Sequence, residues 1–251
     1  MTEKKSMFHL ENHPNIAGRR PDLDPNQKGL LVNKRESIRK KEAGDRFEQS
    51  LSKRMASSIE KSILLNNLYF ESGQFVKELE LYESIQIDHI LITEKGVFCI
   101  EDKYLDDDKY IKISGGALAK KWVLKTINNI NNTDTNGLKQ NYRHLLFLKE
   151  LFSFNGISVP IYQMTVLGGI TEEKIMVQQF INANLVHEDE LLDRIKYIIN
   201  KGNAKINMQE VYLIIDKWRC KDPDIDKQHI VYARHINDKR LPKRCKKVLR
   251  T

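Results

Sequence analysis

Three charged residues of types that can hold a metal ion and act on a phosphate lie close together in the sequence. Asp88 stands inside the apolar run Gln86-Ile87-Asp88-His89-Ile90-Leu91-Ile92, and Glu101 and Lys103 close a second apolar run that begins at Gly96. Mg²⁺ and Mn²⁺ prefer carboxylate oxygens, and a lysine can orient water or neutralise charge that develops on a phosphate. These residue types match the requirements of metal-assisted phosphodiester hydrolysis.

The two apolar runs flank Thr93-Glu94-Lys95-Gly96, a pattern that predicts a β-hairpin. The turn has two alternative positions. A loop of residues 94 and 95 places Asp88 opposite Glu101, whereas a loop of residues 95 and 96 places it opposite Lys103. Because side chains on a strand alternate between faces, Asp88, Glu101 and Lys103 share one face in either register. Opposed Cβ atoms lie about 5 Å apart, which allows two carboxylates to hold one divalent cation.

An ion pair without catalysis is the structural alternative for these residues. The Glu-x-Lys spacing alone is weakly specific, since Glu172-Glu173-Lys174 repeats it at a place where we assign no function. A charge inside an apolar run is costly unless it is paired, so Asp88 or Glu101 can form an ion pair with Lys103 at a sheet margin. The residues alone leave catalysis and this ion pair open.

The composition is that of an ordinary globular protein with a basic balance. Its 251 residues are 40% hydrophobic and 30% charged, with a net charge of +8, and they suffice for one domain with extensions. The positive charge is consistent with a polyanionic partner. No run of about 18 apolar residues predicts a membrane span, and the polar N-terminus lacks a signal-peptide pattern. Three scattered cysteines favour reduced thiols in a cytoplasm, and their spacing does not imply zinc.

Hydrophobic periodicity predicts alternating helices and strands, which is typical of an α/β fold with a mixed central sheet flanked by helices. Helices are predicted over residues 36–65, 138–152 and 187–199, and a further helix is predicted from Asn207, which we expect to cap it. In addition to the hairpin, strands are predicted over residues 75–81, 110–114, 122–124, 159–167 and 175–181. Residues 126–137 are rich in Asn, Thr and Asp and are predicted to form a loop.

Three other residues with reactive side chains are assigned structural positions. His89 points to the face opposite Asp88, so a packed or hydrogen-bonded histidine is favoured over a ligand. His144 lies one helical turn after Gln140, and we interpret it as a surface histidine in preference to a phosphate contact. Cys99 shares the face of Asp88 but stands between apolar residues, which favours core packing.

These motifs resemble the core signature of the NERD (nuclease-related) domain, a branch of the PD-(D/E)XK nuclease superfamily. The resemblance rests on Gln86-Ile87-Asp88-His89, Gly96-Val97-Phe98 and Ile100-Glu101-Asp102-Lys103, with Trp122 and Leu138-Lys139-Gln140-Asn141 similar to later blocks. It covers roughly residues 40–155 and continues weakly to about residue 236, where the helix from Asn207 and a strand at His229-Ile230-Val231 resemble a downstream extension. The resemblance implies a restriction-endonuclease-like core.

The resemblance also implies a Mg²⁺- or Mn²⁺-dependent nuclease that acts on nucleic acid, with DNA as the expected substrate. Asp88 and Glu101 would ligate the metal together with the backbone carbonyl of Asp102, and Lys103 would act on the nucleophile. The family more often has an apolar residue at the position of Asp102.

Two further residues would support this site. Gly44-Asp45-Arg46-Phe47-Glu48 resembles the opening block of related restriction-type endonucleases, which would make Glu48 the helix acid that supplements the metal site. Gln140 is the polar residue that corresponds to the later family block.

The sequence thus predicts a flexible N-terminal segment over residues 1–35, a NERD-like domain with a C-terminal α/β extension over residues 36–236, and a basic tail over residues 237–251. The tail has seven Lys or Arg between Lys239 and Arg250 and is predicted to be a mobile arm that meets phosphates. We expect a cytoplasmic protein with no membrane partner, and the oligomeric state stays open, with a homodimer as one option. The alternative function is a catalytically silent nuclease fold that binds nucleic acid or a protein.

Overall fold

The computed structural model describes residues 34–117, 119–179 and 184–240. The predicted flexible segment 1–35 lies outside these residues apart from its last two positions, and so does the predicted basic tail from residue 241 onward. The helices are α1 Lys34–Ser58, α2 Gly137–Phe154, α3 Leu191–Lys201, α4 Met208–Trp218 and α5 Ile225–Arg240. The strands are β1 Ile63–Val76, β2 Leu81–Thr93, β3 Gly96–Tyr104, β4 Tyr110–Gly115, β5 Lys121–Thr126, β6 Asn131–Thr135, β7 Ile161–Gly168, β8 Ile175–Val177 and β9 Asn184–His187. Within the described residues, no helix combines the length and apolar character needed to span a membrane.

The strands form two sheets. The larger sheet has the order β1-β2-β3-β7-β9, and it is mixed because β2 and β3 are antiparallel whereas β3, β7 and β9 are parallel. The smaller sheet has the order β6-β5-β4-β8, with β4, β5 and β6 antiparallel and β8 parallel to β4. This architecture confirms the predicted α/β fold with a mixed sheet flanked by helices and is compatible with a restriction-endonuclease-like core.

The described residues divide into two compact units. The smaller unit combines residues 68–86 with residues 215–240, and its contacts include a hydrogen bond of 2.7 Å from the Cys220 N–H to the Tyr69 carbonyl. The larger unit combines residues 34–67 with residues 87–214. All the charged residues that the sequence analysis assigns to the site belong to the larger unit.

The core of the larger unit lies between α1 and the larger sheet. Phe47, Leu51 and Met55 recur every fourth residue, so that they form one buried stripe of α1. This stripe packs against strand residues that include Phe98 and Ile100. Helix α2 instead contacts β3 and β7 through its own buried stripe. Each face of the β2–β3 hairpin is therefore covered, which explains why both runs are almost continuously apolar.

The first helix was predicted to reach residue 65, and this boundary was wrong. The apolar repeat continues through Ile59, which is buried, but α1 ends at Ser58. Lys61 adopts a left-handed conformation with φ of 50°, and the Ser62 hydroxyl donates to the Ile59 carbonyl at 2.7 Å. This local turn redirects the chain, and the aliphatic residues from Ile63 onward begin β1.

Three other predicted elements differ from the structure. The predicted strand 75–81 was wrong, because residues 77–80 form the turn between β1 and β2, with Glu80 at φ of 53°. Residues 131–135, predicted as loop, form β6, because they pair along their length with β5. The predicted strand at residues 229–231 was wrong, since these residues lie within α5. By contrast, the Asn207 side chain accepts a hydrogen bond from the Glu210 N–H at 3.3 Å, which confirms it as a helix cap.

A glycine pair provides a test of the contact between α1 and the sheet. A Cβ on Gly168, at the end of β7, would lie 2.1 Å from the buried Phe47 ring, whereas a Cβ on Gly44 within α1 would meet nothing within 4 Å. We expect Gly168→Ala to lower the free energy of unfolding by about 1–3 kcal/mol. Gly44→Ala should raise it by about 0.5–1 kcal/mol, because alanine favours the helix. Urea unfolding of both variants measures the difference, and equal effects would contradict the packing described.

Candidate active site

The β2–β3 hairpin selects one of the two predicted registers. Residues 94 and 95 form the loop, because Ile92 pairs with Val97. This pairing confirms the first alternative. Continued by one position beyond the pair of His89 and Ile100, it places Asp88 opposite Glu101. Two acidic side chains thus face one another across adjacent antiparallel strands, an arrangement that destabilises a sheet unless other groups neutralise it.

Asp88, Glu101 and Lys103, which we call the charged centre, are held by short contacts. Lys103 Nζ lies 2.5 Å from Glu101 Oε1. Asp88 Oδ2 accepts a hydrogen bond of 3.0 Å from the backbone N–H of Asp102. Glu101 is fully buried and Asp88 is nearly so, whereas 23% of the Lys103 side chain is exposed. The charged centre therefore reaches solvent through its lysine.

Burial raises the pKa values of both carboxyl groups, and neighbouring carboxylates add to this effect. Removal from water is the main cause at Asp88, where the charge of Glu101 is the next. Burial also raises the pKa of Glu101 to about 7, although Lys103 partly reverses this effect. Burial lowers the pKa of Lys103, but the neighbouring Glu101 and Asp88 outweigh it and raise this pKa above its usual value. The centre thus combines an ammonium group with two carboxyls that resist ionising together. A bound cation would stabilise the state in which both carboxyls are ionised.

The donor set of the centre fits a small divalent cation. Within the described part of the chain, no group of three or more His, Cys, Asp or Glu side chains is placed to hold a metal ion. Mg²⁺ does not require such a cage, because it is commonly bound through one or two carboxylates, waters and substrate phosphates. Asp88 and Glu101 supply two carboxylates, and the buried Glu101 Oε2 has no hydrogen-bond partner among the described residues. The residues present therefore fit Mg²⁺ or Mn²⁺, with the Asp102 carbonyl as the third predicted oxygen.

Helix α2 brings two buried polar side chains to this region that the sequence analysis did not place there. His144 Nδ1 lies 3.5 Å from Glu101 Oε2 with 6% of the side chain exposed, so the prediction of a surface histidine was wrong. Asn141 Nδ2 donates to the backbone carbonyls of Met164 at 2.6 Å and Cys99 at 3.2 Å. Asn141 and His144 are three residues apart, and the buried positions 137 and 148 lie four residues before and after them. Spacings of three and four residues indicate one shared face of the helix.

The two predicted supporting residues lie on α1 and α2. Glu48 lies on α1. Burial is the main cause that raises the pKa of its carboxyl, and the negative charge of Asp102 is the next. Gln140 is half-buried on α2, and its side chain forms no hydrogen bond with any residue that the structure describes. A catalytic contribution from either residue stays a prediction.

A chain of polar contacts covers the opposite face of the hairpin. Asn66 Nδ2 donates to Ser52 Oγ at 2.8 Å, and this orients Asn66 Oδ1 toward His89 Nδ1, also at 2.8 Å. His89 is fully buried, and its Nε2 lies 3.4 Å from Asp102 Oδ2. The prediction that His89 is packed and hydrogen-bonded is confirmed. Because the backbone N–H of the same Asp102 donates to Asp88, these polar contacts also help to position the peptide group that holds the Asp88 carboxyl.

Strand β6 brings a further acid to the same region. Lys40 Nζ lies 2.8 Å from Asp134 Oδ2. Burial acts to raise the pKa of Asp134, but the hydrogen bond and charge of Lys40, the Thr135 N–H and the charge of Lys103 together outweigh it, and the net shift is downward. The negative charge of Asp134 in turn contributes to the raised pKa of Lys103. No local sequence signal marked Asp134, because its position depends on a strand that was predicted as loop.

Comparisons with known proteins bear on the family of the chain. The sequence model of a family described as nuclease-related domain matches residues 43–168, about half of the chain. An uncharacterized protein of Bacillus anthracis is 24% identical over 184 residues, which cover 73% of this chain and 81% of that protein. No solved structure matches the chain significantly. The family match spans the charged centre, α2 and the strands β4, β5 and β6 of the smaller sheet.

We expect the free energy of unfolding of the metal-free protein to fall as the pH rises from about 4.5 to about 7. The Glu101 carboxyl, with an ordinary pKa of 4.5, loses its proton in the folded protein only near a pKa of about 7. Folding therefore takes up a proton in this window, and stability is lost as the pH rises through it. Linkage gives a loss of roughly 3 kcal/mol for one such group. Urea unfolding in EDTA at a series of pH values measures it.

The matched variant for this measurement is Glu101→Gln, whose side chain cannot ionise. Its unfolding free energy should vary less over the same pH window, because the proton uptake by Glu101 is removed. An equally steep fall in the variant would assign the pH dependence to other groups and contradict the buried-charge account of Glu101.

Proposed function

The chain belongs to the nuclease-related domain family, and from this premise we propose that it is a Mg²⁺- or Mn²⁺-dependent nuclease that hydrolyses phosphodiester bonds of DNA. The observation that carries the proposal is the charged centre, in which Asp88, Glu101 and Lys103 are held together on one buried face. Two of its members, Asp88 and Glu101, are acids taken out of water side by side, which lowers stability, and such local conflicts are typical of functional sites.

Asp88, Glu101 and the backbone carbonyl of Asp102 would hold the cation. When bound, the cation lowers the pKa of a water molecule and stabilises charge on the phosphate. The N–H of Asp102 fixes the Asp88 carboxylate by its hydrogen bond, and His144 lies against the second oxygen of Glu101. These contacts restrict the orientations of both carboxyl groups.

Lys103 acts as an ammonium group in this proposal. Glu101 and Asp88 raise its pKa, which favours the protonated ammonium group over a general base. It can donate hydrogen bonds to a water molecule or to a phosphate oxygen and stabilise the negative charge that develops there. The partial exposure of its side chain supports this role, because the substrate must reach the amine.

A nucleic-acid substrate is supported by the charge of the chain. The net charge of +8 favours association with a polyanion, and the family match supports nucleic acid over other polyanions. Cytoplasmic action is part of the proposal, in keeping with the scattered cysteines of the sequence.

The proposal predicts that loss of either acid abolishes cleavage. Asp88→Asn and Glu101→Gln keep the side-chain shapes but remove the charges that bind the cation, and cleavage of DNA in Mg²⁺ should fall by at least about 100-fold. Plasmid, linear duplex and single-stranded DNA are incubated with each protein, with and without Mg²⁺. The matched control is Glu172→Gln, an exposed acid with the same Glu-x-Lys spacing, which should cleave normally. Normal cleavage by Asp88→Asn would show that the assigned centre is wrong.

Lys103→Ala separates catalysis from an ion pair that only stabilises the fold. We expect cleavage to fall by about 100- to 1000-fold, since one stabilising donor is lost, while Mn²⁺ binding measured by calorimetry is largely kept. Loss of Mn²⁺ binding together with loss of the folded state would favour the structural ion pair. A native protein that binds DNA but cleaves none of the substrates would instead support the catalytically silent module.

A further inference from the structure

The smaller sheet has an outer face with several lysines and no acid. Burial of Trp122 and Leu124 identifies the inner face of β5, so Lys121 and Lys125, like Val123, point outward. The strand pairing extends this face across the sheet. We call the following outward residues the lysine face: Lys112, Lys121, Lys125, Asn131, Thr133 and Thr135. All outward positions of β4, β5, β6 and β8 are neutral or basic, because Asp134 of β6 pairs with Trp122 and points inward.

Two of these lysines form an unfavourable pair. Lys112 of β4 lies directly opposite Lys125 of β5 on adjacent antiparallel strands. Like charges placed directly opposite destabilise a sheet, since their Cβ atoms are only about 5 Å apart. Among the described residues, Lys112, Lys121 and Lys125 form no ion pair with a carboxylate. The sheet therefore keeps positive charge concentrated at a cost in stability, which a bound anion would offset.

We propose that the lysine face binds the phosphate backbone of duplex nucleic acid, an inference that rests on the proposed nuclease function and adds a substrate surface to it. The lysines would neutralise phosphates, and the exposed Asn131, Thr133 and Thr135 would donate hydrogen bonds to phosphate or sugar oxygens. Strand β6 lies between the lysine face and the charged centre, since Asp134 on the inner side of that strand acts electrostatically on Lys103.

A duplex fits this face better than a single strand. Surfaces that bind single strands commonly provide aromatic rings on which the bases stack. The aromatic residues of the smaller sheet, Tyr110 and Trp122, are buried on its inner face. The lysine face thus offers charge and hydrogen bonds but no stacking platform, which matches the regular outer backbone of a duplex.

An anionic membrane is the competing polyanion, and the hairpin between β5 and β6 argues against it. Ile127 and Ile130 at its tip are 58% and 59% exposed, as expected for residues that could enter a lipid surface. However, Asn128 and Asn129 separate them, so insertion of both isoleucines would remove two amide side chains from water. Each amide without a partner costs about 1–3 kcal/mol, which opposes insertion.

The test compares two lysine-to-glutamate changes in a protein that cannot cleave. With Asp88→Asn as background and EDTA present, binding of a fluorescein-labelled duplex of mixed sequence is followed by anisotropy at several salt concentrations. Lys125→Glu should weaken binding by at least about 10-fold and lower the salt slope by about 1–2, as phosphate contacts are lost. Lys196→Glu on α3 makes the same change of net charge at an exposed lysine and should alter binding far less.

Stability measurements separate loss of binding from loss of folding. Because Lys125→Glu converts a repulsive pair into an attractive one, its melting temperature should stay the same or rise while its affinity falls. Equal losses of affinity in Lys125→Glu and Lys196→Glu would overturn the proposal in favour of net charge alone. Stronger lysine-dependent binding to phosphatidylserine vesicles or to single-stranded DNA than to the duplex would also overturn it. Since binding is measured without cleavage, the result is independent of whether the charged centre is catalytic.

Discussion

The burial of two facing carboxyl groups is the constraint on which the rest of the larger unit depends. Asp88 and Glu101 lie opposite one another on adjacent strands, out of contact with most of the solvent. Taking such a pair out of water costs several kcal/mol unless protons, cations or hydrogen bonds neutralise it. The fold supplies part of this compensation through the Lys103 ammonium and the Asp102 N–H. The apolar packing on both faces of the hairpin must supply the remainder.

The alternation of side chains along the hairpin separates two polar systems that are adjacent in sequence. Asp88 and Glu101 face α2, where His144 lies against Glu101, whereas the next residues, His89 and Asp102, face α1. A shift of one residue in register would exchange the two systems and place the carboxyls against the α1 side. The tight two-residue loop and the dense apolar contacts on both faces oppose such a shift. Asp102 joins the two sets of polar contacts. Its side chain lies near His89 on the α1 face, while its backbone N–H donates to Asp88 on the α2 face.

Sequence reasoning predicted what depends on short-range periodicity. The strict alternation around Asp88 and Glu101 gave the shared face, and the apolar period of α2 gave that helix nearly to its observed ends, Gly137–Phe154. Sequence reasoning failed where contacts between residues far apart in the sequence determine the local structure. Residues 131–135 have the composition of a loop and become a strand only because β5 provides partners. The contribution of Glu48 to the metal site, which rests on its position in a motif, stays a prediction; burial and the charge of Asp102 raise the pKa of its carboxyl.

Like charges oppose each other at two places in the larger unit, and their signs differ. Asp88 and Glu101 form an acidic pair in the interior, and Lys112 and Lys125 form a basic pair on an outer sheet face. Each pair breaks the rule that directly opposed residues attract or pack, so selection for stability alone would remove both. In the two proposals made above, a divalent cation would neutralise the first pair and a phosphate backbone would neutralise the second. A nucleic acid with its bound divalent cation would carry both partners, so that one substrate would account for both conflicts.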